Sequence, residues 1–136
     1  MSHRELVRAR RAYLAPAGMG ARRELRAGRG EMLEVIGPAQ GSRLDIHVNS
    51  IRAGAGPGPY HRHTNAENFY LVLEGHIRLR IDGVDQLIGP GDSALIEPGV
   101  PHSVSVQANG EARLVEIYAP ASPDFIAVEE SSGGPR

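Results

Sequence analysis

From residue 31 onward, this chain is a succession of short apolar runs cut by glycine and proline, and this punctuation constrains its fold most. The 136 residues include 17 glycines and 10 prolines. Short β-type runs repeated between turn signals are typical of an all-β sandwich or barrel. Eight strands are predicted: Glu31–Ile36, Arg43–Ile51, Glu67–Leu73, His76–Ile81, Asp85–Ile88, Ser93–Ile96, His102–Val106 and Ala112–Tyr118.

One hairpin can be assigned from its turn. The dipeptide Asp82-Gly83 separates two strand-like runs and is a strong signal for a type I′ turn. On its N-terminal side, Ile77, Leu79 and Ile81 alternate with polar residues, which places the three apolar side chains on one face. We therefore expect a two-residue hairpin with one apolar face.

The length allows one domain with two flanking segments. A chain of 136 residues is large enough for one hydrophobic core and leaves no room for a second domain. We expect an N-terminal basic arm over residues 1–30, a barrel over residues 31–120, and an extended or disordered tail over residues 121–136. Within the arm, the stretch Glu5–Leu14 could form a short helix.

The charges are distributed unevenly along the chain. All 15 basic residues are arginine, and eight of them precede residue 30, where only Glu5 and Glu24 oppose them. A basic arm of this kind can bind nucleic acid, but no aromatic or glycine-rich RNA-binding pattern accompanies it. We therefore expect a solvated arm and no nucleic-acid partner.

The composition excludes several kinds of site and location. The chain has no cysteine, so any metal must be held by histidine, carboxylate, amide or water. The sequence shows no secretory signal and no apolar run of the roughly 18 residues that a membrane span needs. We expect a soluble cytoplasmic protein that does not bind membranes.

Three histidines form the strongest chemical signal in the sequence. His61 and His63 form an H-x-H pair just before a strand-like run, and His102 follows a Pro-Gly turn. On a strand, an H-x-H pair directs both imidazoles to one face, roughly 6–7 Å apart along the chain. A third imidazole from a neighbouring strand completes a set of three nitrogen ligands. Such a metal site keeps open coordination positions, which favours chemistry over a purely structural role.

The two histidine segments resemble the two sequence motifs of the cupin superfamily, whose fold is a double-sheet jelly-roll barrel, also called a double-stranded β-helix. The resemblance covers about residues 43–118. It implies this barrel fold and a metal held by the motif histidines. Six positions match the two motifs: His61, His63, Gly75, Gly91, Gly99 and His102.

One departure from the family motif concerns the fourth ligand. The family's glutamate falls on Asn68 in this chain, and Glu67 stands one residue earlier. Glu67 should lie on the opposite face of the strand unless a bulge redirects it. Three ligand sets stay open: three histidines with water, with the amide oxygen of Asn68, or with Glu67. Loss of the carboxylate would leave the metal more electrophilic and more weakly held.

Two further residues are candidate catalytic groups. His47 alternates with apolar residues in a predicted strand, so it lies either on a wet face or in the pocket as a fourth imidazole or an acid–base group. Tyr70 shares a strand face with Asn68. Its phenol either packs in the barrel core or lies over the metal.

The strand Glu67–Leu73 is apolar on both faces. Phe69, Leu71 and Leu73 share one face, and the opposite face is also mostly apolar. A single barrel buries only one face of such a strand. The second face needs a partner, and we expect a homodimer to supply it.

Small single-domain cupins include quercetin-dioxygenase-like proteins and cupin polyketide cyclases. The resemblance implies a metal-dependent enzyme that acts on a small, partly apolar organic molecule by dioxygenase-type oxidation or by Lewis-acid isomerisation or cyclisation. The expected cofactor is one divalent transition metal per chain (Fe, Mn, Ni, Zn, Co or Cu), since imidazole suits all of them. The alternative is a non-enzymatic cupin that binds a small ligand or metal, because this fold hosts many functions.

Overall fold

The computed structural model describes residues 12–107 and 110–130 and consists almost entirely of strands. Most of the helix predicted over Glu5–Leu14 lies outside the described residues, and residues 12–14 have no regular secondary structure. Two short 3₁₀ turns, Arg26–Gly28 and Pro38–Gln40, interrupt the strands. The strands are β1 (Ala21–Glu24), β2 (Gly30–Ile36), β3 (Asp45–Ile51), β4 (His61–Arg62), β5 (Glu67–Glu74), β6 (Ile77–Ile81), β7 (Val84–Ile88), β8 (Ser93–Ile96), β9 (His102–Ser105), β10 (Ala112–Ala119) and β11 (Ile126–Ala127).

These strands form two sheets in which every paired strand is antiparallel. The larger sheet has the order β1-β2-β3-β10-β5-β8, and the smaller has the order β11-β4-β9-β6-β7. This arrangement is the double-sheet barrel that the sequence predicts, and all eight predicted strands are present within two residues at each end. The sequence pattern missed β1, β4 and β11, which are two to four residues long.

The hydrophobic core lies between the two sheets. Ile77 and Leu79 of β6 come from the smaller sheet, and Val72, Ile96 and Leu114 come from the larger one. Each of these side chains is almost completely removed from solvent. Full burial of one such side chain stabilises the fold by about 1.5–3 kcal/mol, so the two-residue alternation of these strands fixes which face of each sheet turns inward.

The hairpin between β6 and β7 has the predicted type I′ turn. Asp82 and Gly83 both adopt positive φ angles, 47° and 83°, as this turn requires. Ile77 and Leu79 are buried, whereas Arg78 between them is exposed.

The segment predicted as a solvated arm contributes a strand to the larger sheet. β1 pairs with β2 through main-chain hydrogen bonds, although all four of its side chains are exposed. The Arg23 guanidinium also pairs with Glu34, 3.0 Å away. Because β1 is held by its backbone and by ion pairs rather than by apolar side chains, its sequence carries no strand periodicity.

The end of the chain that the structure describes is also paired to the barrel. β11 lies against β4, and the amide of Ala121 donates to the carbonyl of Arg43 over 2.7 Å. Residues 121–128 of the tail predicted to be extended or disordered are therefore anchored to the barrel and run beside the histidine motif. Residues 131–136 lie outside the described part of the chain.

The outer face of the larger sheet is apolar across four strands. Leu33, Val48, Val115 and Leu71 are neighbours in register on β2, β3, β10 and β5. These side chains are half-buried, and Leu95 on β8 is 59% exposed. The homodimer expected from the sequence of β5 stays a prediction. Among the described residues, no helix is long and apolar enough to cross a membrane.

Candidate metal centre

Two neighbouring strands of the smaller sheet bring the three motif histidines together. His61 on β4 is the register partner of His102 on β9, and His63 follows His61 by two residues. The turn before β9 is locked to the first motif, since the Gly99 amide donates to the His63 carbonyl over 2.6 Å. Gly99 has a φ of 88°, a conformation that favours glycine.

The three imidazoles converge on one buried point. Their ring centroids lie 4.4 Å apart for His61 and His102, 4.7 Å for His61 and His63, and 5.4 Å for His63 and His102. One ring nitrogen from each lies within 4.8 Å of the others. The Nε2 atoms of His61 and His63 are only 3.2 Å apart, and all three residues are at most 8% exposed.

Main-chain carbonyls fix the orientation and tautomer of each ring. The Nδ1 atoms of His61 and His102 lie 2.8 and 3.0 Å from the carbonyl oxygens of Pro59 and Val100. The Nδ1 of His63 makes a short contact with the carbonyl of Asp124. A carbonyl only accepts hydrogen bonds, so each Nδ1 carries the proton and each Nε2 turns a lone pair towards the centre.

Asn68 adds a fourth acceptor to the same point. Its Nδ2 donates to Glu116 Oε2 over 3.1 Å, which turns Oδ1 towards His102, where it lies 3.0 Å from Nε2. Three ring nitrogens and one amide oxygen therefore face one another, and these groups supply no proton between them. Converging lone pairs of this kind repel one another unless a cation lies among them. The donor set, three imidazoles and one oxygen, suits a divalent transition metal.

The electrostatics keep these imidazoles in their metal-binding form. Burial lowers the pKa of His61 from 6.5 to about 4, and the neighbouring His102 and His63 lower it further against the opposing effect of the Pro59 carbonyl. Burial likewise lowers the pKa of His102. At neutral pH both rings are therefore neutral, with a free lone pair.

Glu116 on β10 organises the polar groups behind the histidines. Its carboxylate accepts hydrogen bonds from Asn49 Nδ2 at 2.8 Å and from Asn68 Nδ2 at 3.1 Å. The phenols of Tyr70 and Tyr118 also lie close enough to this carboxylate to interact with it. A carboxylate has about four acceptor positions, and the two amide donors occupy one on each oxygen of Glu116, which has no ion pair among the described residues. Burial and the adjacent carboxylate raise the pKa of both tyrosines, which stay protonated.

The structure separates the remaining predicted site residues. Glu67 is exposed, because it lies on the face of β5 opposite to Asn68, and no bulge redirects it. It is therefore outside the histidine group. Tyr70 is buried, with its ring 6.2 Å from that of His102.

His47 also lies outside the histidine group, on the far side of Tyr118. The Tyr118 ring is 5.7 Å from His47 and 5.1 Å from His63. The Nε2 of His47 instead contacts Asp45 Oδ1 at 2.7 Å. With Glu34, these two residues form a second group whose ligand atoms lie within 4.8 Å of one another.

A cavity of about 390 Å³ opens beside the centre. Its wall is mainly apolar and aromatic, and it also contains Glu116, Asn49 and several arginines. A larger cavity of about 610 Å³, lined by residues such as Glu74 and Ala112, shares Glu24 and Ile51 with the first cavity and has no histidine in its wall. The smaller cavity is the one in reach of the metal-binding groups. Its wall includes Leu25, Arg29, Met32, Ile51, His61, Tyr70, Val104, Leu114, Tyr118 and Phe125.

The segment after β10 completes the surroundings of the histidines, a role that the sequence did not reveal. The main-chain carbonyl of Asp124 accepts a hydrogen bond from His63 Nδ1, and its carboxylate accepts one from the amide of Thr64 at 2.7 Å. The Phe125 ring stacks on His61, with centroids 4.4 Å apart and 14° between planes. The guanidinium carbon of Arg26 lies over the Phe125 ring, 4.4 Å from its centroid. The N-terminal part of the described chain, through Arg26, and its C-terminal part, through Phe125, therefore meet beside the His61 imidazole.

Comparison with known proteins identifies the architecture. A family model described as the cupin domain matches residues 48–118, a span that includes all three histidines, Asn68 and Glu116. The chain belongs to the cupin family. Within curated proteins, this cupin is 32% identical over 79 residues to the HTH-type transcriptional regulator PuuR of Escherichia coli (strain K12), covering 58% of the chain and 42% of the regulator. It is 40% identical over 57 residues to quercetin 2,3-dioxygenase of Bacillus subtilis (strain 168), covering 42% of the chain and 17% of the dioxygenase. The cupin thus spans less than half the length of either relative.

Solved structures share the same fold. The polyketide cyclase RemF from Streptomyces resistomycificus superimposes with a TM-score of 0.69 and 24% identity, over 81% of this chain and 78% of the cyclase. An RmlC-like cupin from Shewanella frigidimarina gives a TM-score of 0.64 and 24% identity, over 77% and 87% of the two chains. At these identities the likeness establishes the architecture alone.

Proposed function

We propose that this cupin is a metal-dependent enzyme acting on a small, partly apolar organic molecule. The observation that carries the proposal is the convergence of four lone-pair donors, from His61, His63, His102 and Asn68, with no proton among them. These groups would hold one divalent transition metal. The adjoining cavity of about 390 Å³ is near the lower end of the size range of small-molecule sites.

The metal would supply one of two chemistries. A redox-active ion supports dioxygenase-type oxidation, and zinc or nickel supports isomerisation or cyclisation as a Lewis acid. The names of the relatives, a quercetin dioxygenase and a polyketide cyclase, support both branches for this chain. Both names also refer to chemistry on small organic molecules.

The chain's own groups bind and orient the substrate. The apolar wall around Leu114, Met32 and Val104 removes water from an apolar substrate and strengthens polar contacts made inside the cavity. Tyr70, protonated and directed towards Glu116, lines the cavity, and its phenol oxygen can accept a hydrogen bond from a substrate donor. We assign no acid–base role to His47, since the Tyr118 ring lies between it and the histidine group.

Turnover by metal-loaded protein tests the enzymatic proposal. Protein stripped with chelator and reloaded separately with Fe(II), Cu(II), Ni(II) or Zn(II) is incubated with a panel of small aromatic and polyketide-like compounds. Oxygen uptake and product mass are then recorded. We expect turnover with at least one metal and none with the His102→Ala variant. Turnover that is equal in the metal-free protein would contradict a metal-dependent mechanism.

A non-enzymatic binding protein is the second candidate, and one observation favours it. Asn68 replaces the family's glutamate and contributes no negative charge to the metal site, so the ion is more weakly held. The similarity to part of a transcriptional regulator agrees with a ligand-binding role. The candidates differ in one result: the binding protein takes up a ligand, in the presence or absence of metal, and returns it unchanged.

We further propose that the protein works as a cytoplasmic homodimer. The outer face of the larger sheet carries apolar side chains from β2 to the edge strand β8, among them Leu71 on β5 and the exposed Leu95 on β8. A two-fold contact would cover this face on both copies. Light scattering should give twice the mass of the chain for wild type. The Leu95→Glu variant should give a single chain mass with unchanged metal content.

A further inference from the structure

Arg29 holds its guanidinium in the wall of the cavity beside the histidine group. Its Nε donates to the Gly56 carbonyl at 2.9 Å, and its Nη2 donates to the Val104 carbonyl at 2.8 Å. A Cβ atom on Gly58 would come within 2.9 Å of Nη1, so this glycine lets the guanidinium lie flat against the loop. Two hydrogen bonds and one close backbone approach therefore fix the position of the cation.

This cation has no carboxylate partner among the described residues. Arg23, which lies in the same segment and also lines the cavity, is paired with Glu34 at 3.0 Å. Arg29 is half-buried, and its loss of solvent lowers its pKa. Nη1 makes no hydrogen bond to another described residue. A half-buried guanidinium that lines a cavity and has no carboxylate partner among the described residues leaves N–H donors available to an anion.

The other charged residues in the cavity wall favour a singly charged anion over a doubly charged one. The carboxylates of Glu24 and Glu116 also line the cavity, and they would repel a phosphate dianion more than a single carboxylate. Arg23, Arg26, Asn49 and His61 also line the cavity, and much of the remaining wall is apolar or aromatic, including Met32, Leu114 and Phe125. The cavity therefore combines a guanidinium held by main-chain carbonyls, that of Arg29, with a largely apolar wall.

We propose that the cavity binds a small aryl or alkyl monocarboxylate, with its carboxylate on Arg29 and its apolar part between β2, β10 and Phe125. The proposal rests on the proposed function, since it names the substrate class of the same site. It assigns to the basic N-terminal segment a role in specificity. A guanidinium can bind a carboxylate through two parallel hydrogen bonds, which distinguishes an acid from its amide.

Paired ligands of the same shape test this assignment. Binding of 1-naphthoate and of the neutral 1-naphthamide is measured by calorimetry on zinc-loaded and metal-free wild type, on Arg29→Gln and on Arg22→Gln. Arg22→Gln is the matched control, because it removes the same charge from the same segment but lies outside the cavity wall. We expect wild type to bind the acid at least about ten-fold more tightly than the amide. Arg29→Gln should lose that preference, and Arg22→Gln should keep it.

The metal-free measurement separates this inference from the proposed function. A carboxylate that binds only through zinc would keep its preference in Arg29→Gln and lose it in metal-free wild type, which would overturn the role of Arg29. Equal affinity for acid and amide in wild type would overturn it as well. If wild type takes up no metal but still prefers the acid to the amide, the proposal of a metal-dependent enzyme fails and the proposed anion site at Arg29 is retained.

A second measurement covers the case in which Arg29→Gln does not fold. In wild type, the Nε–H resonance of Arg29 should shift on addition of 1-naphthoate and stay in place with 1-naphthamide. An unchanged resonance at saturating acid would contradict the assignment.

Discussion

The barrel contains two groups of three side chains that could hold a metal ion, and they differ in how their charges are balanced. His61, His63 and His102 are buried around one point, and Glu34 and Asp45 with His47 form the other group. In each group the ligand atoms lie within 4.8 Å of one another. Proximity of ligating groups therefore does not distinguish the two.

The hydrogen bonds distinguish the two groups. In the second group, His47 Nε2 is paired with Asp45 and Glu34 is paired with Arg23, so the acidic groups already have cationic or proton-donating partners. Burial and the neighbouring Asp45 raise the pKa of Glu34, which favours a shared proton over a metal. In the histidine group every inward atom is an acceptor. An excess of hydrogen-bond acceptors, rather than the number of ligating groups, distinguishes the candidate metal centre from the second group.

The largest expected effect comes from removing one imidazole of the first group. His102→Ala should weaken metal binding by more than about 100-fold, since even loss of a residue that only orients a ligand costs 10–100-fold. Asp45→Asn should leave the stoichiometry at one metal per chain. Competition titration with a chromogenic chelator measures both. If Asp45→Asn loses the metal and His102→Ala keeps it, the metal is held by the second group and not by the three histidines.

Glu116 sharpens the comparison, because it aims the Asn68 oxygen at the centre. Glu116→Gln weakens the fixed orientation of that amide, and we expect metal affinity to fall by about 10–100-fold. Glu74→Gln is the control, since Glu74 is exposed and pairs only with Arg113 on the surface. The same chelator titration is used. An unchanged affinity in Glu116→Gln would mean that Asn68 is not a ligand.

Placing a carboxylate at position 68, where the family motif has a glutamate, tests whether this position supplies the fourth ligand. Asn68→Asp adds a negative ligand, which should tighten metal binding by about ten-fold. In metal-free protein the new carboxylate would face Glu116 without the amide hydrogen bond, so its Tm should fall below that of wild type. Metal should then raise the Tm of the variant more than that of wild type. If metal raises the Tm of wild type and of the variant by the same amount, the side chain at position 68 is not a metal ligand.

The smallest effect on metal is expected from the second group. Asp45→Asn removes the charge that pairs with the buried His47 ring, and we expect a loss of about 1–2 kcal/mol in the free energy of unfolding. Metal affinity should change by less than about two-fold, since Tyr118 separates His47 from the centre. Urea denaturation gives the stability, and the metal-loaded and stripped forms should lose the same amount. A larger loss of unfolding free energy in the metal-loaded form would show that the second group is energetically coupled to the histidine group.

The strands of the barrel were predictable because burial imposes a period of two. Ile77 and Leu79 alternate with exposed residues, so the sequence marks both the strand and its inner face. β4 and β11 have two residues each and are too short to show a period. β1 is held through its backbone, and its exposed side chains carry no apolar pattern.

The three histidines were predictable from motif spacing, but the groups that orient them were not. Glu116 alternates with Val115 and Ile117, and an alternating charged residue normally indicates the solvent face, so its burial reverses the usual pattern. Asp124 acts on His63 through its main-chain carbonyl, a contact that any residue could make. Arg29 belongs to a segment whose basic composition is typical of a solvated arm.

Metal content tests the central claim most directly. Untagged protein, purified without chelator, is measured by elemental analysis before and after stripping with EDTA and reloading. The converging acceptors of His61, His63, His102 and Asn68 predict one divalent transition metal per chain, lost on stripping and recovered on reloading. Wild type that carries no metal and takes up none from Fe, Mn, Ni, Zn, Co or Cu would contradict the account. The histidines would then be polar residues in the wall of a ligand-binding barrel.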